Sequence, residues 1–191
     1  RHKTWVHEGG ISTPLIAHWP AGIPRDRRGR LESQTGHLID LMATCVDLSG
    51  ARYPSEFAGE KITPMEGRSL KSLLVSPSPA VSQSPRPLFW EHEGNRALRV
   101  GTSKLVAKGP QGPWELYDME KDRTELRNLA KGNRRLVARL SRQYDEWGTR
   151  VGVTVAGDWY PDSAGSPTFG SVADERDDLA ASPVCIPIEI A

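Results

Sequence analysis

The feature that most constrains the fold is a series of short apolar segments between residues 88 and 118. The segments are Leu88–Trp90, Ala97–Val100, Lys104–Ala107 and Trp114–Tyr117. Closely spaced extended segments with short turns between them are typical of an antiparallel meander. The sequence therefore predicts a small antiparallel sheet here.

A helix is predicted to follow this sheet. Over residues 133 to 147, one helical face carries Leu136, Leu140, Tyr144 and Trp147. Apolar side chains repeating at this spacing indicate an amphipathic helix. We expect the helix to cover one face of the meander, because both elements need to bury an apolar side.

The first half of the chain predicts another helix, over residues 36 to 48. Its apolar positions follow a period of three to four residues and are Leu38, Leu41, Met42, Cys45 and Val46. This periodicity predicts a buried face, on which Cys45 would be an inert core thiol. Thr35 is the expected N-cap and Gly50 the expected stop.

The remaining segments give weaker signals. Leu15–Trp19 lies between prolines and predicts a short strand, which we expect at the edge of a larger parallel sheet whose other strands are not in this chain. A short leucine-packed helix is expected after Gly67. Residues 151 to 191 are expected to form a partly disordered tail, with a final short strand over Cys185–Ile190.

Composition excludes several classes of function. The 191 residues carry a net charge of +1, so no global field attracts nucleic acid or an anionic membrane. No stretch of the sequence approaches the roughly 20 apolar residues of a membrane span. Two cysteines provide no disulfide framework.

The stretch "KTWVHEGG", residues 3 to 10, raises the first candidate site. Lys3 lies five residues before Glu8 and a pair of glycines, and an apolar strand follows. A lysine ammonium is a compact charge suited to an oxyanion, and glycines permit close approach of the backbone to a ligand. The pattern predicts an anion site at Lys3; the alternative is a plain surface lysine.

Histidines supply the other candidates. His7-Glu8-Gly9-Gly10 is not the zinc motif with two histidines, because position 11 is Ile. His92 stands at the end of an apolar run, shortly before Asn95 and Arg96. A strand end offering all three side chains is predicted to bind a polar or sulfated ligand, unless Arg96 serves a structural salt bridge.

These motifs together resemble the sulfatase family. The segment from Lys3 through Glu8-Gly9-Gly10 to Trp19-Pro20 is similar to the family's lysine, its Glu-Gly-Gly turn and the strand that follows. Further similarity continues, in the family's order, through residues 40–50, 66–70, 90–97, 114–118 and 125–130. The resemblance covers about residues 3 to 150.

The resemblance implies a fold and a division into domains. The expected class is α/β (α+β for this piece): the C-terminal end of an alkaline-phosphatase-like sheet domain plus a small antiparallel β-meander packed by a C-terminal helix. Residues 1–75 would be the end of the large catalytic domain, 76–87 an exposed Ser/Pro-rich connector, 88–150 the small C-terminal subdomain and 151–191 the tail.

The resemblance also implies chemistry. Such enzymes hydrolyse sulfate esters with a formylglycine made from the Cys or Ser of Cys/Ser-x-Pro/Ala-x-Arg, and a calcium ion binds the sulfate. Lys3 matches the family lysine that contacts the sulfate, and His92, Asn95 and Arg96 are the expected substrate-binding residues. The expected substrate is a sulfated small molecule or carbohydrate.

The chain departs from the family at the nucleophile. Neither Cys45 nor Cys185 begins the required motif, since Ile188-Glu189 stand where Ser-Arg is needed after Cys185. We therefore expect the calcium ligands and the formylglycine in a missing N-terminal region, no metal ligand in this chain, and no activity of the chain alone. Secretion or a periplasmic location is suggested by the family only.

Two alternatives stay open. The sheet and helix could form a non-catalytic binding or scaffold module, in which Trp90 and Trp114 are simply core residues. The same superfamily also contains phosphate and phosphonate ester hydrolases, and a shared fold does not separate these reactions from sulfate ester hydrolysis.

Overall fold

A computed structural model describes residues 4–76, 85–153 and 188–190 of the chain. Its helices are α1 (Glu8–Ile11), α2 (Ile39–Ser49), α3 (Lys71–Val75) and α4 (Arg134–Val151). Its strands are β1 (Leu15–Ala17), β2 (Arg30–Glu32), β3 (Glu56–Phe57), β4 (Glu60–Lys61), β5 (Pro87–His92), β6 (Asn95–Val100), β7 (Ser103–Ala107), β8 (Glu115–Asp118) and β9 (Ile188–Ile190).

The chain divides into two compact units. We call Arg1–Ser12 with Pro85–Cys185 the sheet unit, and Thr13–Ser84 with Ile186–Ala191 the second unit. Residues 4 to 12 therefore group with the sheet rather than with the rest of residues 1–75, because Val6 is part of the sheet's core. The predicted boundaries of the connector and the subdomain stay predictions.

The sheet unit contains the predicted meander. Its four strands lie in the order β5-β6-β7-β8, and each neighbouring pair is antiparallel. Gly94 and Gly101 have φ values of 79° and 59° in the turns that join β5 to β6 and β6 to β7. These left-handed conformations favour glycine, which explains the tight turns at these two places.

Both faces of this sheet are buried. On one face, Leu98, Leu105 and Leu116 pack against Leu140 and Tyr144 of α4. Their strand neighbours Ala97, Val106 and Tyr117 point to the opposite face, where they form a core cluster with Val6 and Met119. The predicted cover of one face by α4 is confirmed, and residues 5–11 cover the other. The predicted α/β class, with an antiparallel sheet and a C-terminal helix, is confirmed as well.

The second unit is built from short elements. β9 pairs in parallel with β1 and antiparallel with β2, giving the order β1-β9-β2. The strand predicted over Leu15–Trp19 is shorter than expected, and the larger parallel sheet around it stays a prediction. Most of the predicted tail lies outside the described residues, although Val151 belongs to α4 and Ile188–Ile190 form β9.

The predicted buried face of α2 is wrong. Leu38 and Met42 are 78% and 58% exposed, and Cys45 is an exposed free cysteine rather than a core thiol. The face that packs within the unit carries Asp40 and Thr44.

Hydrogen bonding explains this packing. Asp40 Oδ1 accepts from the Arg68 N–H, and Thr44 Oγ1 accepts from the Leu70 N–H. Asp40 Oδ2 also accepts from the His37 N–H, so α2 begins at Ile39 with Leu38 as its N-cap, not at Thr35. Pairing these donors and acceptors matters because a buried unpaired polar group is costly.

No helix in the described part of the chain is both long and apolar enough to cross a membrane.

Candidate functional site

The candidate site lies where the segment "TWVHEGGI" (residues 4–11) crosses the sheet of its own unit. Lys3, the predicted catalytic residue, precedes this segment and lies outside the described residues. The structure therefore describes how the chain immediately after Lys3 is held. The contacts that hold this segment all lie within the sheet unit.

A fully buried lysine holds Glu8. Lys104 of β7 is 0% exposed, and its Nζ donates to Glu8 Oε1 at 2.8 Å. The same Nζ lies 2.8 Å from Glu125 Oε1, as an ion pair without the alignment of a hydrogen bond. Glu125 Oε2 accepts from the Glu8 N–H at 2.8 Å. One carboxylate thus binds both the lysine and the backbone of the segment.

The charges of this cluster are balanced by arginine. Arg123 Nη2 lies 3.6 Å from Glu8 Oε2 at the edge of the cluster. Burial raises the pKa of the Glu8 carboxyl, but Lys104, Arg99 and Arg123 together outweigh it and hold this pKa below its ordinary value. Glu8 is therefore an anion that its surroundings stabilise. Lys104 already pairs with two carboxylates. Its charge is therefore used to fix the backbone at Glu8 and does not serve to bind an external anion.

A second tie joins the neighbouring His7 to β8. His7 is buried, and its Nε2 lies 3.1 Å from Glu115 Oε2. The Tyr117 hydroxyl donates to the same carboxylate oxygen at 2.7 Å. Two residues before His7, the ring of Trp5 also contacts the sheet unit. The ammonium of Lys108 lies 4.5 Å from the centre of this ring, in cation–π geometry. His7, one of the two candidate histidines, thus has a partner within the fold.

Asn95 is the predicted site residue that contacts the segment directly. Its Nδ2 donates to the Thr4 carbonyl at 3.0 Å, and its Oδ1 accepts from the Gly109 N–H at 3.0 Å. The structure therefore brings Asn95 to the residue that follows Lys3. An amide has two N–H donors and two acceptor lone pairs, so one of each remains on Asn95.

The other two predicted binding residues differ in exposure. Arg96 is half-buried; it donates to the carbonyls of Gly109 and Gly112 and stacks 4.4 Å from the centre of the Trp114 ring. His92 is exposed at the end of β5, and its backbone pairs with Asn95 in the β5–β6 ladder. Arg96 thus has a structural role through its contacts with these two carbonyls.

The loop that presents Glu125 is fixed from within. The Asp122 carboxylate accepts from the backbone N–H groups of Leu126 and Arg127. Glu125 itself has φ = 57°, a left-handed conformation that is uncommon for residues other than glycine. Such conformations persist where the surrounding contacts over-determine them.

The described residues offer no metal site. They include no group of three or more His, Cys, Asp or Glu side chains placed to hold a metal ion. The described residues therefore do not fit the calcium ion that the family implies. The prediction that its ligands lie in a missing N-terminal region stays a prediction.

Sequence reasoning missed Lys104, Glu125 and Arg123. Lys104 was assigned to a strand, but nothing in the local sequence separates a buried lysine from a surface one. The available signal is the buried apolar run Leu105–Ala107 that directly follows Lys104 in the same strand. Its partner Glu8 is 96 residues away, a separation that no local pattern bridges.

The chain matches a family model over most of its length. Residues 2–147 match the model described as "N-sulphoglucosamine sulphohydrolase, C-terminal". An arylsulfatase K of Danio rerio is 30% identical over 138 residues, covering 68% of this chain and 24% of that protein. An N-acetylgalactosamine-6-sulfatase of Canis lupus familiaris is 30% identical over 106 residues, covering 55% of this chain and 17% of that protein.

The relatives are much longer than this chain. A sulfatase of Schizosaccharomyces pombe is 29% identical over 160 residues, which cover 82% of this chain and 28% of that protein. Among solved structures, a 2-O GAG sulfatase aligns over 60% of this chain and 25% of its own, with 29% identity and a TM-score of 0.43. The match over residues 2–147 establishes the family: the chain belongs to the N-sulphoglucosamine sulphohydrolase C-terminal family of sulfatases.

Proposed function

We propose that this chain is the C-terminal part of a sulfatase that hydrolyses sulfate esters. The observation that carries the proposal is the family match over residues 2–147, which includes the lysine and the Glu-Gly-Gly segment at one end and the sheet at the other. Because the chain spans only 28% of the first relative's length, the activity belongs to a longer protein. Formylglycine and calcium would be supplied outside this chain.

Within that enzyme, Lys3 contacts the sulfate group. A cation at this point stabilises negative charge on the transferring group, and a fixed charge stabilises it best when it needs no reorganisation. The Asn95 contact to the Thr4 carbonyl supports this role, because it anchors the residue next to Lys3. His92, Asn95 and Arg96 are proposed to bind the rest of the substrate.

The substrate is proposed to be a sulfated carbohydrate. The family is described by a sulfated glucosamine, and one relative is named for a sulfate on N-acetylgalactosamine. Hydroxyl and sulfate groups of a sugar suit the donors of His92, Asn95 and Arg96. The alternative of a phosphate or phosphonate ester keeps the same roles for these residues and changes only the transferred group.

The test uses the full-length enzyme that contains this chain. Purified wild-type and Lys3→Ala proteins are compared on 4-nitrophenyl sulfate, 4-nitrophenyl phosphate and a sulfated amino sugar. We expect the sulfate esters to be turned over faster than the phosphate ester, and Lys3→Ala to lower kcat/KM for the sulfate esters by at least about 100-fold.

The matched control is Lys121→Ala, since the Lys121 side chain is 80% exposed in the sheet unit. It should turn over sulfate esters like the wild type. Faster hydrolysis of the phosphate ester would favour the alternative reaction. Equal kcat/KM for Lys3→Ala and Lys121→Ala would remove the role of Lys3.

A further inference from the structure

We propose that Glu8, held by Lys104 and Glu125, is a positioning residue that fixes Lys3 against the substrate. This inference rests on the proposed function and deepens it, because it assigns a task to the C-terminal sheet. The sheet would fix the backbone of the segment that follows the catalytic lysine. The family resemblance alone gives these three residues no such role.

Several separate contacts hold one short peptide, residues 4–8, against the sheet. Glu8 is bound by β7 and by the loop after β8, His7 by β8, and the Thr4 carbonyl by Asn95 at the start of β6. Val6 lies between them in the core. A peptide bound at Thr4, His7 and Glu8 has little freedom to shift, so the sheet fixes the backbone that directly follows Lys3 in the sequence.

Glu8 is held by a buried ion pair rather than by apolar packing. Apolar side chains could fill the space beneath Glu8 equally well. A buried ion pair is often no more stabilising than such apolar packing, so stability alone does not explain why charges are used here. A buried, charge-assisted hydrogen bond constrains the positions of both partners. Here Lys104 Nζ donates to Glu8 Oε1 at 2.8 Å, which fixes where the Glu8 carboxylate lies. The arrangement therefore defines one position of the segment more narrowly than apolar packing would.

The loop that carries Glu125 is itself held in one conformation. Glu125 is presented in a left-handed backbone conformation, and Asp122 closes the loop around it through two backbone N–H groups. Both oxygens of Glu125 face the cluster, one toward Lys104 and one toward the Glu8 N–H. A loop shaped in this way is suited to placing one carboxylate rather than to connecting β8 with α4 loosely.

The positional effect should be large. A displacement of about 1 Å caused by a change away from the chemistry can lower a rate on the order of 100-fold. Loosening Glu8 is therefore expected to lower kcat through Lys3, while leaving the substrate's other contacts, and hence KM, less affected.

The experiment is a double-mutant cycle on the full-length enzyme with 4-nitrophenyl sulfate. Glu8→Gln is made in the wild-type and in the Lys3→Ala backgrounds, and kcat and KM are measured for all four proteins. We expect Glu8→Gln to lower kcat by about 10-fold to about 100-fold in the wild-type background. In the Lys3→Ala background it should lower kcat by less than about 2-fold, because residues that act through one group are not additive.

The control is Glu120→Gln, the same chemical change at an exposed position of the sheet unit, which should leave kcat unchanged. Thermal unfolding of each protein checks that it is folded. If Glu8→Gln does not fold, Glu125→Gln replaces it in the cycle, since it leaves Lys104 and Glu8 as a matched pair.

Equal fold losses in both backgrounds would overturn the positioning role while leaving the sulfatase proposal intact. A Lys3→Ala enzyme as active as the wild type would overturn both.

Discussion

At the scale of single residues, Lys104 is the buried cation of the ion cluster in the sheet unit. Its ammonium has no exposed surface and serves two carboxylates. Removing one partner from a buried ionic cluster lowers the free energy of unfolding by much more than the whole cluster contributes to it. The reason is that the remaining charges stay buried without an opposite charge.

Lys104→Met should therefore destabilise the chain by about 3–5 kcal/mol. Urea-induced unfolding followed by tryptophan fluorescence measures the change. Lys121→Met, which removes an 80% exposed lysine of the same unit, should change stability by less than about 0.5 kcal/mol. Similar unfolding midpoints for the two variants would contradict the role assigned to Lys104.

Glu8 makes stability depend on pH. Its pKa in the fold lies below the ordinary value of 4.5, so the ionised form contributes stability above about pH 4.5. That contribution is lost as the pH falls through the lowered pKa. Thermal unfolding between about pH 3 and about pH 7 should show a smaller loss of melting temperature on acidification for Glu8→Gln than for the wild type. Parallel curves for the two proteins would show that Glu8 carries no such linkage.

At the scale of elements, the turn of α1 depends on a missing side chain. A Cβ at Gly10 would overlap the backbone carbonyl oxygen of Trp5. Since both atoms are tied to the backbone, the segment would have to move to relieve the overlap.

Gly10→Ala is expected to destabilise the chain by about 1–3 kcal/mol, the range for overpacked sites. Gly132→Ala is the control, because a Cβ there meets no atom within 4 Å. Differential scanning calorimetry of both variants gives the comparison. An unchanged melting temperature for Gly10→Ala would mean that the segment is not held as tightly as described.

The elements also show where sequence reasoning succeeds. The four strands and α4 could be predicted because their apolar period matches their packing, as Leu98 and Leu105 meet Leu140 within one chain. The apolar face of α2 was predicted as core and is exposed, because periodicity reports that a face is apolar but not what covers it. The Lys104 cluster could not be predicted, since its members meet only through the fold.

At the scale of the whole molecule, several large apolar side chains of the described residues are exposed. Leu38 and Met42 of α2 and Ile16 of β1 are all exposed, and unprotected strand edges favour association.

The isolated chain should therefore self-associate as its concentration rises, measured by light scattering. Met42→Lys should reduce this association, because it places a charge on the apolar face of α2. Ala51→Lys adds the same charge at an exposed position after the helix and should have a smaller effect. A wild-type chain that stays monomeric at high concentration would contradict this prediction.

The most direct test of the central claim compares sulfate release from 4-nitrophenyl sulfate by the 191-residue chain and by the full-length enzyme, at equal molar concentration. We expect turnover by the full-length enzyme and none by the chain alone, because the 191 residues contain no Cys/Ser-x-Pro/Ala-x-Arg motif to supply the proposed nucleophile. Turnover by the chain unaided would contradict the claim that it completes a site whose reacting groups are supplied elsewhere.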